Sequence, residues 1–134
     1  MTAMQPQLDH LTVQAADRKA SARLLAEILD VPWAEEAGIG PFSAVYVNDG
    51  LTLDFDQADR AFPVSHYCFR VAELAFDRIV GRLQDKGIAY RSTPHGPADG
   101  RVNTMAGGRL VYWGEPDGHV WEALTASYAR RSAA

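Results

Sequence analysis

The sequence predicts an α+β fold of two tandem βαβββ modules forming a curved mixed sheet around one cavity. Three observations carry that prediction. The order strand, helix, then about three strands occurs twice along the 134 residues. The strands alternate apolar and polar side chains, and the helices keep an apolar stripe at i, i+3, i+4 spacing. The modules are expected at about residues 7–58 and 63–127 of one domain.

Taken in order, "LDHLTVQ" (Leu8 to Gln14) alternates and is bounded by polar residues, as a half-buried strand should be. Asp17 can cap a helix whose Leu24, Leu25, Ile28 and Leu29 share a face, and Pro32 follows its end. "FSAVYV" and "LTLDFD" flank "NDG", Asn48 to Gly50, a hairpin-turn signal. The second half opens with the strand "SHYCFRV", Ser65 to Val71. In "ELAFDRIVGRLQDKG", Phe76, Ile79, Val80 and Leu83 recur at helical spacing, with Gly87 where a helix commonly stops. "IAYRST", a Gly/Pro-rich stretch from Pro94 to Gly108, "RLVYW", the turn "EPDG" and "HVWEALT" complete the module.

Composition narrows the function. Seventeen acidic against thirteen basic residues, with no basic cluster longer than Arg130-Arg131, leave no footprint for nucleic acid or an anionic membrane. No apolar run is long enough to span a bilayer, and "MTAMQPQLDH" lacks the basic and apolar regions of a secretion signal, so a cytoplasmic protein is expected. The lone Cys68 allows neither an intramolecular disulfide nor a thiolate zinc knuckle. Any bound metal would take oxygen and imidazole ligands.

The period of two then separates the faces. His10 shares a face with Thr12 and Gln14, Asp54 with Thr52 and Asp56, and His66 with Cys68 and Arg70, while the apolar residues of those strands point the other way. Glu122 is the exception. Val120 and Leu124 share its face, where an ionised carboxylate is costly unless it is paired. The repeat places His10 and His66 near the starts of the two first strands, and Asp54 and Glu122 in the two last strands. Two imidazoles with one or two carboxylates form a mixed N/O set suited to Zn, Ni, Co, Mn or Fe(II), with positions left open for substrate.

The segments "LDHLTV", "TLDF", "SHYCFRV" and "EPDGHVWEAL" resemble the vicinal-oxygen-chelate superfamily, which includes glyoxalases, bleomycin-resistance proteins and ring-cleaving dioxygenases. The resemblance covers nearly the whole chain. It implies His10, Asp54, His66 and Glu122 as metal ligands, Glu122 and Asp54 as the groups that move a proton, and a homodimer. Asp54 is one methylene shorter than the glutamate of glyoxalase I-like members, so it also suits a hydrogen bond to a ligand.

A local likeness to the fosfomycin-resistance thiol transferases points to Thr12, Tyr112 and Arg131 (or Arg130) as substrate contacts, and to a thiol cosubstrate such as glutathione. Arg91 and Ser92 stand in the region of that branch's lysine, making Arg91 a further substrate contact. "RVNTMAGGR" replaces its potassium loop, and Val64 replaces a tyrosine.

The expected function is a divalent-metal-dependent lyase, isomerase or thiol transferase acting on a small substrate that chelates the metal through oxygens. The alternatives are a non-catalytic, bleomycin-resistance-like antibiotic-binding protein and a single-domain Fe(II) dioxygenase. Of the remaining residues, His119 is expected to be solvated in its turn and His95 to lie in the variable loop. Cys68 is expected as a buried, inert thiol, and Trp113 and Trp121 as core or dimer-interface aromatics.

Overall fold

A run of alternating residues becomes β1, His10–Ala15, and burial follows the alternation: Val13 and Ala15 are buried while His10 and Thr12 are exposed. These features belong to a computed structural model that describes residues 4–130. Asp17 caps α1, Arg18–Leu29, by accepting from the Ala20 N–H at 3.1 Å, which satisfies one of the donors a helix start leaves open. At the other end Asp30 takes a left-handed conformation, φ 58°, and its N–H returns to the Ala26 carbonyl. Then come β2, Trp33–Ala34, β3, Phe42–Asn48, and β4, Leu51–Gln57. The "NDG" turn closes with the Gly50 N–H donating to Asn48 Oδ1 at 2.9 Å.

This first unit, ending at Pro63, is a four-stranded sheet in the order β1-β4-β3-β2. β1 and β4 are parallel and the other pairs antiparallel, so the sheet is mixed. Leu53 and Phe55 of β4 share a face with Val13 and Ala15 of β1. Together with Val45 they are buried, as are Ala22, Leu25, Ala26 and Ile28 of α1. The opposite face carries His10, Thr12, Gln14, Thr52, Asp54 and Asp56.

The second unit, from Val64, repeats the plan with β5, His66–Arg70, α2, Glu73–Asp85, β6, Tyr90–Arg91, β7, Leu110–Trp113, and β8, Val120–Leu124. Its order is β5-β8-β7-β6, again with one parallel pair, β5 with β8. Phe76, Ile79 and Leu83 line the buried face of α2, and Trp113 and Trp121 are core residues. Gly87, φ 66°, ends the α2 segment, with its N–H on Gln84 and that of Ile88 on Leu83. Arg109 ties α2 to the sheet, its guanidinium 4.6 Å from the Phe76 ring and bonded to Glu73 and Asp77.

Two strands differ from expectation. β2 has only two residues, too few for alternation to register. The strand expected over "IAYRST" shrinks to Tyr90–Arg91, because the Ser92 N–H and hydroxyl are both taken by the Asp99 carboxylate, which turns the chain into its loop. Among the described residues no helix is long and apolar enough to cross a membrane.

Candidate functional site

Glu122 lies in the middle of β8 with no exposed surface. Register places Cys68 of β5 on one side of it and Tyr112 of β7 on the other. Around it Leu110, Tyr112, Val120 and Leu124 form a buried cluster, with Ala106 of the preceding loop packed against them. The part of this face around Glu122 is therefore apolar and buried, although β5 leaves its edge open, and the carboxylate within it needs partners. Among the described residues His66 Nε2–H donates to Oε1 at 2.8 Å, the Tyr128 hydroxyl lies 2.8 Å from Oε1 and 2.7 Å from Oε2, and the Cys68 thiol and Tyr112 hydroxyl also interact with it. Among the described residues no lysine or arginine pairs with it; its one ion-pair partner is His66.

The neighbours respond to this carboxylate. Burial, then the Glu122 charge, pushes the Cys68 thiol up to about 12. Burial, then hydrogen bonds to Tyr112 and Glu122, raises the Tyr128 phenol above its ordinary value; burial likewise raises Tyr112. The Tyr112 ring meets His66 edge to face at 6.0 Å, and its hydroxyl lies 3.5 Å from that of Tyr128. A hollow of about 310 Å³, lined by His66, Cys68, Arg70, Glu122 and the segment through Tyr128, opens onto this cluster.

In the first unit, His10 and Asp54 line one hollow of about 410 Å³ together with Phe42, Ala44, Tyr46 and Thr52. Register sets His10 opposite Thr52 and Thr12 opposite Asp54. His10 Nδ1–H donates to Asp9 Oδ2 at 2.8 Å, and that bond raises its pKa. A larger hollow of about 510 Å³ beside the Asn48–Gly50 turn has no imidazole in its lining, so size does not pick out the chemistry here.

The predicted residues thus fall into two pairs, His10 with Asp54 and His66 with Glu122. Among the described residues no three histidine, cysteine, aspartate or glutamate side chains come close enough to hold a metal ion by themselves. Thr12 is exposed on the His10 face, and Tyr112 is buried beside His66. Arg91 turns into its own loop, donating from Nε and Nη2 to the Pro94 carbonyl at 3.1 and 2.7 Å. Arg130 is exposed, and Arg131 lies outside the described residues.

Two expectations are corrected. His119 is 1% exposed, not solvated: its Nδ1 accepts from the Ser65 N–H at 3.0 Å, and its ring meets Tyr67 and Trp121 edge to face. Cys68 is exposed as a residue because it shares the open face of β5 with His66, although burial of its sulfur and the Glu122 charge favour the protonated thiol. Tyr128 is the residue that sequence reasoning missed. It stands in a short polar tail without periodicity, and only its contact with Glu122 marks it.

The donor chemistry fits a divalent cation. Imidazole Nε2 and carboxylate Oε1, 2.8 Å apart, have the spacing of neighbouring ligands around one ion, and among the described residues the buried negative charge lacks a permanent countercharge.

Comparison with known proteins adds three likenesses. Oxidase ChaP-H2 is 40% identical and superposes with a TM-score of 0.87, covering 94% of this chain and 98% of its own. The glutathione transferase FosA of Serratia marcescens is 27% identical over 135 residues, which is 95% of this chain and 86% of that protein. A glyoxalase/dioxygenase from Nostoc punctiforme, at 20% identity and a TM-score of 0.67 over 95% of this chain and 98% of its own, shares the fold. No family model matches the sequence.

Proposed function

Because this chain belongs to the vicinal-oxygen-chelate superfamily, with a solved oxidase 40% identical to it, we propose that it is a divalent-metal-dependent enzyme that oxidises a small substrate through two neighbouring oxygen atoms. The observation that carries the reading is the fully buried Glu122 carboxylate, 2.8 Å from the His66 imidazole and without a lysine or arginine partner among the described residues. His10, His66 and Glu122 hold the ion, with Asp54 as a fourth ligand or a hydrogen-bond partner to the set. The protein works as a homodimer.

When bound, such an ion supplies Lewis acidity to the substrate oxygens, and Fe(II) would also supply dioxygen chemistry; Zn, Ni, Co and Mn suit the same donors. The protein's own groups do the rest. The Asp54 carboxylate, half-buried in the first unit, takes a proton from a substrate carbon or hydroxyl in this reading. The apolar cluster of Leu110, Tyr112, Val120 and Leu124 keeps water from the Glu122 oxygens, which strengthens every charge interaction there. The Thr12 hydroxyl offers a hydrogen bond to substrate.

A second reading, thiol transfer with glutathione, is favoured by the 27% identity to FosA. Metal analysis of the purified protein, followed by dioxygen uptake and glutathione consumption on the Fe(II)- and Mn(II)-loaded forms with small vicinal-oxygen compounds, separates the two. Dioxygen uptake that stops in H66A and E122Q supports the oxidase. Glutathione consumption without dioxygen uptake supports the transferase, and failure to bind any divalent ion ends both readings.

A further inference from the structure

We propose that Tyr128 is a positioning residue for Glu122: its phenol holds one carboxylate oxygen, so that the other is presented toward the His66 imidazole and the cation. The inference rests on the metal-dependent reading above and assigns a task to a residue outside its ligand set.

The two carboxylate oxygens are not equivalent. Oε1 lies 2.8 Å from both His66 Nε2 and the Tyr128 hydroxyl, whereas Oε2 lies 2.7 Å from the Tyr128 hydroxyl and makes no hydrogen bond with His66. A phenol has a single proton, so it donates to one oxygen at a time. Once a cation lies between Oε1 and Nε2, Oε1 gives its lone pair to the ion and Oε2 is the acceptor left for the phenol. The carboxylate is then held at both ends and binds through one oxygen. Without the phenol, Oε2 would lose its 2.7 Å donor and be free to swing onto the ion.

Core packing does not account for the placement. Tyr128 is 47% exposed and follows β8 by four residues in a tail without helix or strand, so its ring is not needed to fill the interior. What is buried is the contact its hydroxyl makes. Tyr112, whose hydroxyl lies 3.5 Å from that of Tyr128 and also interacts with Glu122, bounds the phenol within the same cluster.

The test uses the full chain, stripped with chelator and titrated with Zn²⁺ and Co²⁺ by calorimetry and chelator competition. Tyr128→Phe should weaken both affinities by about 10- to 100-fold, the effect of removing a partner that orients a metal ligand. The visible bands of the Co²⁺ form should also change intensity as the released oxygen turns onto the ion. Equal affinity in Y128F overturns the proposal, leaving the phenol as a mere partner for a buried acceptor. Tighter binding overturns it too, because the phenol would then compete with the ion. If wild-type protein binds neither ion, the metal-dependent reading itself has failed, and that result is distinct from either. Should Y128F not melt cooperatively, infrared difference spectra of Zn²⁺-loaded wild type against E122Q decide: widely split carboxylate bands support one-oxygen binding, narrowly split bands overturn it.

Discussion

Replacing His119 with alanine should cost the fold about 3 kcal/mol, and the sum can be built from its contacts. Its Nδ1 accepts from the Ser65 N–H at 3.0 Å. Ser65 is exposed, so water can partly replace the lost acceptor and the low end of the usual range, about 1 kcal/mol, applies. The ring meets Tyr67 at 5.6 Å and Trp121 at 5.9 Å, both edge to face. Two such pairs contribute about 2 kcal/mol together. His119→Phe keeps the ring and discards the acceptor, so it should lose only about 1 kcal/mol. Urea unfolding measures both, and hydrogen exchange at the Ser65 amide reports the bond directly. Ser65 immediately precedes His66, and its carbonyl accepts from the Val120 N–H, so loosening it should also weaken the alignment of His66 with Glu122. If H119F matches wild type in urea, or if the Ser65 amide exchanges freely in wild type, the reasoning is wrong.

Three further outcomes follow from the same geometry. A thiol pushed from 9.0 up to about 12 carries on the order of a thousandfold less thiolate at neutral pH, and greater intrinsic nucleophilicity returns only part of this. Cys68 in metal-free protein should therefore alkylate with iodoacetamide about 30-fold more slowly than a free cysteine despite its exposure, and E122Q should speed it; a rate equal to that of unfolded protein would contradict this. Arg109→Ala should destabilise by about 1–2 kcal/mol, shrinking in high salt, since it removes the Glu73 and Asp77 bonds and the cation over Phe76; a loss unaffected by salt would deny the ion pairs a part. Asp99 is held below the ordinary carboxylate range, first by the Ser92 hydroxyl, and a depressed carboxyl stabilises above its unfolded pKa and stops doing so as pH falls through its folded value. The Ser92 and Arg101 amide resonances should therefore hold steady through the usual carboxylate range and move only below it, and a transition at the ordinary value would remove the Asp99 anchor.

What could be read in the sequence, and what could not, divides by the range of the interaction. The Asp17 cap, the Gly87 stop and the Asn48–Gly50 turn are settled within a few residues, so each is legible before folding. The alternation in β1, β4 and β5 is legible for the same reason, and it sets His10, Asp54 and His66 on the faces opposite their cores. Glu122 was legible as a problem, a charge among apolar neighbours, because its surroundings within β8 already make it costly. The repeat and the resemblance set His66 beside it in one ligand set, but within β8 itself nothing names a partner, and Tyr128 was not legible at all.

His66 lies 56 positions away, and Tyr128 reaches it from a tail whose composition carries no pattern. His119 misleads for a related reason. A Pro-Asp-Gly turn before it suggests solvent, while the group that buries its acceptor is a backbone amide 54 positions earlier. No side-chain pattern records a backbone donor. Positions like His119 and Tyr128, which each satisfy one distant polar group, are therefore found through the group they satisfy. An unexplained buried charge such as Glu122 is the best signal of where to look for them.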